Sequence, residues 1–382
     1  MTPSDWLLLV LLIPVSVQLF FILIVFGRLA FFQSPEREEK RSEKSWMGVS
    51  VIVCAWNELE NLAELLPLLD AQDYPLFEIL VVDDRSSDGT TGFLEAYCRQ
   101  SAHVRSIRIE KEYEHITPKK YAVTIGQKHA VYEISLMTDA DCRPAGTGWI
   151  SSMVNRMADG KEIVLGFSPY FREKGLLNWL IRCETFYTAV QYFSFALFGM
   201  AYMGVGRNLM YRKRLFFENR GFYTHHNVLG GDDDLFINEV ARIGNTACNL
   251  DPEGYMYSVP KKTWGEWYVQ KTRHLGVGKR YRFRFKFLLG ILGASHVMVW
   301  IAAASLLGWA LVTRNQYLLI GTGTLFAVRW LFQWLILSFV NQRMGKTINS
   351  FLIPLMDITL FLYYLVMGAG NLFRKKKVAR WR

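Results

Sequence analysis

Cysteine is sparse and unpatterned in this sequence. Cys54, Cys98, Cys142, Cys183 and Cys248 are the only five in 382 residues, with no CxxC pair and no regular spacing. That excludes a zinc ribbon or a disulfide framework and fits free thiols in a reducing compartment. Met1 to Asp5 contains neither lysine nor arginine. A secretory leader opens with a basic stretch, so the apolar run that follows reads as an anchor and not as a cleaved signal. No internal repeat or low-complexity tract is present, which removes solenoids and propellers. Nor does a glycine-rich basic loop follow the first expected strand. Trp56-Asn57-Glu58-Leu59 stands there instead, which argues against a nucleotidyltransferase.

What the chain does have is apolar mass at its two ends. Hydrophobic residues make up 51% and aromatics 15%, yet the middle alternates charged and apolar stretches in the ordinary way of a soluble domain. Trp6 to Gly27 reaches roughly 33 Å as a helix, enough to cross a bilayer core. The net charge of +10 gathers in Arg37 to Lys44, Lys279 to Lys286 and Arg374 to Arg382, each beside an apolar run. Clusters so placed point to anionic headgroups and a cytoplasmic face, not to nucleic acid. The expected organisation is an anchor over 1–30, a cytoplasmic domain over 46–280, membrane segments over 287–373 and a basic tail over 374–382. Of the three later apolar stretches, 287–312 and 317–340 read as a hairpin of spanning helices. The third, 351–371, contains Pro354 and Asp357, and a full crossing would carry the basic tail outside. It is expected to be re-entrant or interfacial, with the tail inside.

The middle reads as an α/β domain. Val49 to Ala55 is a β-branched run suited to a strand buried on both faces. Helical spacing of Leu62, Leu65, Leu66 and Leu69 follows, then a strand over 77–82, a turn and helix over 86–98, a strand over 104–109, a helix over 119–130 and a strand over 134–138. This alternation predicts a mostly parallel sheet with right-handed crossovers, whose ligands bind at the carboxyl ends of the strands.

Acids stand at those ends. Asp139 and Asp141 close the last strand at i and i+2, a pairing that suits a hard cation such as Mg²⁺ or Mn²⁺ bridging a diphosphate. As a bare triplet they are also compatible with two solvated loop acids. Asp83 and Asp84 end an earlier strand and precede Arg85-Ser86-Ser87-Asp88-Gly89-Thr90, where Ser87 or Asp88 can cap the next helix. Capping leaves Asp83 over, as an acceptor for uracil or ribose. Asp232, Asp233 and Asp234 precede another apolar helical pattern. One or two of them satisfy the helix dipole, and three exceed that need, so crowding is expected to raise a carboxyl toward a value useful for a general base. Finally Trp264, Trp267 and Tyr268 suit an interfacial helix, on which Gln270 and Arg273 share a face and a guanidinium can meet a diphosphate.

Taken in order, Val51-Ile52-Val53-Cys54-Ala55-Trp56-Asn57-Glu58, Val82-Asp83-Asp84 through Thr90, Thr138-Asp139-Ala140-Asp141 and Gln270-Lys271-Thr272-Arg273-His274 resemble the signature of glycosyltransferase family 2 over about residues 48–280. The resemblance implies a GT-A fold and an inverting sugar transfer, with a UDP-sugar the expected donor and a lipid-linked or saccharide acceptor. By similarity, Ala55, Asn57, Glu58 and Asp83 line the nucleotide pocket beside Asp84, Lys119 or Lys120 approaches it, Asp139 sits near the ribose, and Asp141 holds the metal. Gln270 and Arg273 join the donor site. Gly204 to Tyr211, with Arg207 and Asn208, resembles the floor of the site, and the general base aligns with Asp232 or Asp233, of which Asp233 is favoured. His274 replaces the tryptophan usual in processive polymer synthases, which favours single addition. A processive synthase and a catalytically silent scaffold are the competing readings.

Overall fold

The computed structural model describes residues 2–33, 46–157 and 160–372. The chain opens with α1 (Pro3–Phe20), a π-helical stretch (Phe21–Phe26) and α2 (Gly27–Ala30). An α/β region follows: β1 (Val49–Ala55), α3 (Leu59–Asp70), β2 (Phe77–Asp84), α4 (Thr90–Cys98), β3 (Val104–Ile109), α5 (Pro118–His129) and β4 (Ile134–Asp139). Next come β5 (Cys142–Pro144), α6 (Trp149–Val154), β6 (Ile163–Gly166), α7 (Leu176–Leu197), β7 (Leu209–Arg212), α8 (Lys213–Glu218), α9 (Asp234–Val240), β8 (Thr246–Asn249), β9 (Met256–Ser258) and α10 (Trp264–Gly278). The chain then runs through α11 (Phe283–Val312), α12 (Gln316–Arg343) and α13 (Ile353–Leu372). Two compact units result. Among the described residues, one draws on the chain through Phe32, on Phe186–Ser194 and on 281–372; the other holds the stretches through Thr185 and Phe195–Arg280.

The larger unit is built on a seven-stranded sheet in the order β3-β2-β1-β4-β7-β6-β8. Strands β3, β2, β1 and β4 run parallel, β7 is antiparallel to both neighbours, and β6 pairs parallel with β8. The mostly parallel sheet expected from the sequence is therefore present. Its central strands are buried on both sides because apolar residues occupy both parities. Val49, Val51, Val53, Ile79, Val81, Ile134 and Leu136 meet Leu62, Leu65, Leu66 and Leu69 of α3. The alternate set, with Leu80, Val82 and Cys54, meets Ala122 and Ile125 of α5. Each buried leucine contributes about 2 kcal/mol. Helix α5 lies close to the sheet because Gly126 has no side chain: a Cβ there would stand 2.7 Å from Ile52 Cγ2.

The other unit is helical. Pro3–Ala30, Phe283–Val312, Gln316–Arg343 and Ser350–Gly368 are long and apolar enough to cross a membrane. Their middle holds a buried polar cluster. The Arg329 guanidinium donates to both carboxylate oxygens of Asp357, at 2.5 and 3.0 Å, and to Gln18 Oε1 at 3.3 Å, and lies 2.9 Å from His296 Nδ1. Gln333 and Trp300 also donate to Asp357, while Gln18 Nε2 donates to the Leu292 carbonyl and the Ser295 hydroxyl. Arg329 and Asp357 are 0% and 1% exposed. Asp357 weighs against a crossing when read alone. In the structure α13 is one continuous helix and this acid is paired. The basic clusters at 37–44 and 374–382 lie outside the described residues, and so does the expectation for the tail.

Candidate active site

Strand register sets the first part of the site. Asp139 pairs with Cys54 and Asp83 with Ala55, so both acids reach the carboxyl edge beside β1. Alternation then separates them. Asp83 has the parity of Ile79 and Val81, which face α3, whereas Asp139 has the parity of Met137 and lies toward α5. Lys119, in the first turn of α5, donates to Asp139 Oδ1 at 2.9 Å and stands 3.4 Å from Asp232 Oδ2. Burial alone would lower the Lys119 ammonium, but these carboxylates overcome it and hold it well above the ordinary lysine range. Burial likewise pushes the Asp139 carboxyl up, and Lys119, helped by Arg207 and Arg273, brings it below its ordinary value.

The acidic triplet arrives from the far side through Gly230 and Gly231, with φ of +83° and +79°. A Cβ at Gly231 would meet Leu235 Cδ1 at 2.7 Å, and one at Gly230 would meet Val277 of α10 at 3.2 Å and the Arg273 stem at 3.7 Å. Only glycine fits this turn against α10. Asp233 is the N-cap of α9, accepting the Asp234 N–H at 2.7 Å through Oδ1, and its Oδ2 accepts the Gly206 N–H at 2.7 Å. Burial and the adjacent Asp232 raise its carboxyl above the usual range despite those bonds. Cys54, Lys119, Asp139, Tyr211, Asp232 and Asp233 line a common, partly open cavity.

Beside the cavity stand charges that, among the described residues, make no direct ion pair. Asp141 follows Asp139 in the turn between β4 and β5; among the described residues no cation lies within ion-pair distance of it, and burial and Asp139 raise its carboxyl. The Arg207 guanidinium rests 4.5 Å over the Tyr170 ring, and among the described residues its Nη1 is buried without a hydrogen-bond partner. Tyr170 accepts a 3.4 Å hydrogen bond from Gln270. Lys261 adds positive potential at Asp141 and Glu58. Among the described residues no three His, Cys, Asp or Glu side chains group as a metal cage. Two carboxylates of one sign with an unpaired guanidinium nearby suit an oxygen-seeking cation that takes its other ligands from a diphosphate and water, and do not suit a closed zinc site.

The remaining expected residues lie along the β1 and β2 edges. Asn57, at φ +55°, donates its N–H to Ser86 Oγ at 2.8 Å and accepts the Ser87 N–H on Oδ1 at 2.8 Å. Glu58 accepts from Asn61; burial, then Asp141 and Asp139, raise its carboxyl. Asp83 accepts the Ser86 N–H at 3.1 Å and the Thr91 hydroxyl at 2.5 Å. Asp84 accepts from Arg85 Nε and Nη2, and Asp88 accepts the Thr90 N–H beside Gly89, the N-cap of α4. Asp83 and Asp84 are therefore not in the cavity that holds Asp139 and Asp232. Lys120 turns away from it altogether, onto backbone carbonyls. Tyr170 and Lys261 lie outside every motif, and no periodicity or spacing marks them.

Comparison with known proteins adds four findings. The profile of Glycosyl transferase family 2 matches residues 50–219. The undecaprenyl-phosphate 4-deoxy-4-formamido-L-arabinose transferase of Klebsiella pneumoniae subsp. pneumoniae is 33% identical over 97 residues, 24% of this chain and 28% of that protein. The dolichol-phosphate mannosyltransferase of Pyrococcus furiosus is 33% identical over 134 residues, 35% of this chain and 36% of that one. The chain thus aligns with well under half the length of the curated relatives it matches. A solved structure, mannosyltransferase PcManGT from Pyrobaculum calidifontis in complex with GDP-Man and Mn²⁺, superposes with a TM-score of 0.60 at 20% identity, covering 97% of this chain and 100% of that one. The fold is GT-A.

Proposed function

We propose, because residues 50–219 match the profile of Glycosyl transferase family 2, that the chain moves a sugar from a nucleotide-diphospho-sugar to a lipid-linked or saccharide acceptor at a membrane. The observation that carries this reading is the meeting of Asp139, Lys119, Asp232 and Asp233 in one cavity, with Asp141 and Arg207 beside it outside any direct ion pair. A reaction whose leaving group is a diphosphate uses such a layout. Asp233, its carboxyl raised by burial and by Asp232, takes the acceptor's proton as the acceptor oxygen bonds to the anomeric carbon and the bond to the diphosphate oxygen breaks, inverting the centre. Arg273 and Arg207 balance the charge on the departing diphosphate, and Lys119 holds Asp139 ionised and bridges it to Asp232. Mg²⁺ or Mn²⁺, held by Asp141 with Asp139, supplies Lewis-acid neutralisation of that diphosphate when bound.

Ala55, Asn57, Glu58 and Asp83 form the nucleoside side of the proposed donor site. Asp83 retains lone pairs for it, since a carboxylate has about four acceptor positions and the turn uses two. A UDP-sugar is the donor proposed first. GDP-mannose is the second, because the superposed mannosyltransferase was solved in complex with it. Lipid phosphates enter as acceptors because the curated relatives are named for undecaprenyl and dolichol phosphates. We place the catalytic unit on the cytoplasmic side and read the transfer as single addition, with His274 standing where polymer synthases keep tryptophan. The test is a panel of UDP- and GDP-sugars screened by thermal stabilisation of the detergent-solubilised chain, with and without Mn²⁺, followed by donor hydrolysis. One donor raising the melting temperature only with metal is the expected result. No shift and no hydrolysis with any donor would sink the reading.

A further inference from the structure

Adjacent lysines at the start of α5 point in different directions. Lys119 enters the cavity, whereas Lys120 is 0% exposed and donates to the backbone carbonyls of His225 at 2.7 Å and Val228 at 2.6 Å. Its ammonium also lies 5.9 Å from the centre of the Phe222 ring. Thr117, two residues before Lys119, donates its N–H to the His226 carbonyl at 3.0 Å. The first turn of α5 therefore grips the stretch 222–232 at several points: the 225, 226 and 228 carbonyls through Lys120 and Thr117, and the Asp232 carboxylate through Lys119. That stretch ends in Gly230-Gly231, which has almost no conformational preference of its own, and it delivers Asp232 and Asp233. A buried ammonium is costly, and burial lowers Lys120 to about 8 even with Asp232, Asp234 and Asp233 favouring its charge. Hydrophobic packing at this position would be cheaper for the fold. The charge is explained by what it holds.

We propose that Lys120 is a positioning residue for the transfer reaction: its ammonium fixes the 222–231 loop so that Asp232 and Asp233 stand at the distance from Asp139 that the reaction needs. The proposal rests on the reading of Asp232 and Asp233 as reaction acids, but the loop contact can be tested without it. Lys120→Met leaves two carbonyls without a donor while relieving the buried charge. In the full chain in detergent, hydrogen exchange of amides 223–234 is expected to rise about tenfold or more in Lys120→Met and to stay within about threefold in Lys120→Arg, with both proteins keeping the wild-type melting temperature within a few degrees. With GDP-mannose or a UDP-sugar as the probe, kcat is expected to fall on the order of tenfold to a hundredfold in Lys120→Met while KM for the donor changes less than threefold, and Lys120→Arg is expected to recover most of kcat. Unchanged exchange in Lys120→Met overturns the proposal, and so does a global loss of folding, which would make the lysine a general stabiliser. Faster exchange with unchanged kcat overturns the positioning role alone. Absence of any turnover in the wild type bears on the proposed function and leaves the exchange result standing.

Discussion

Two regions of this chain handle charge in opposite ways. Among the apolar helices, Arg329 and Asp357 are shut away from water and form a direct ion pair: the guanidinium meets carboxylate, amide and imidazole through its Nη atoms while, among the described residues, its Nε stays without a partner, and the carboxylate also accepts from Gln333 and Trp300. At the sheet edge, among the described residues, neither Asp141 nor Arg207 makes a direct ion pair, and each feels opposite charges only at longer range. Burying a charge is expensive in both places, so the difference lies in who supplies the partner. In the bundle the protein does, and the cluster is architecture. At the sheet edge no direct pair forms, and in the proposed reaction a cation would answer Asp141 and a diphosphate would answer Arg207.

That contrast can be broken by removing one charge at a time. Asp141→Ala is expected to have the largest effect: turnover falls by roughly a thousandfold or more while the melting temperature without ligand is unchanged, and Mn²⁺ no longer enhances donor stabilisation. Asp233→Asn should cost about a hundredfold to a thousandfold in kcat with donor binding retained, measured by donor titration beside single-turnover rates. Because burial and Asp232 raise the Asp233 carboxyl, the acid limb of the wild-type kcat profile should lie above the ordinary carboxylate range, with activity lost as pH falls through it. That limb should disappear in Asp233→Asn. Equal loss of donor affinity in the two variants would contradict the division of roles.

On the other side of the contrast, Arg329→Met strands the Asp357 carboxylate and should destabilise the helical unit by about 3–5 kcal/mol, whereas Arg329→Met with Asp357→Leu should recover most of that in a denaturation series. Failure of the double variant to recover would mean that the cluster does more than join helices. Least affected should be Glu112→Ala. Its carboxylate meets Arg85 at 3.0 Å but is 66% exposed, and water already screens the pair, so a loss under about 1 kcal/mol is expected.

The elements were legible in the sequence where pattern and burial agree. Val49–Ala55 and the leucines of α3 announce themselves by period, and β4 ends within a residue of its expected limit. The acids at strand ends were legible as a set, but not their grouping. Strand alternation sends Asp83 toward α3 and Asp139 toward α5, a matter of parity within the sheet that becomes visible only once neighbouring strands are in register. Asp232 and Asp233 stand far from Asp139 along the chain, and the Lys119 contacts and the two-glycine turn bring them to it. Lys119 and Lys120 were indistinguishable in sequence because a helix turns about 100° between neighbours, and which one faces the cavity depends on how α5 is rotated against the sheet. Tyr170 escaped notice altogether, since a ring that flattens a guanidinium leaves no mark in spacing.

The pairing of β4 between β1 and β7 carries a consequence for how this chain can vary. Single-residue insertions or deletions in surface loops leave the sheet as it is. One between Ile134 and Asp139 would turn the last carboxylate of β4 from Lys119 toward the opposite layer and bring Thr138 or Ala140 into its place. Substitutions can be absorbed along this strand one at a time, but its length is fixed by arithmetic.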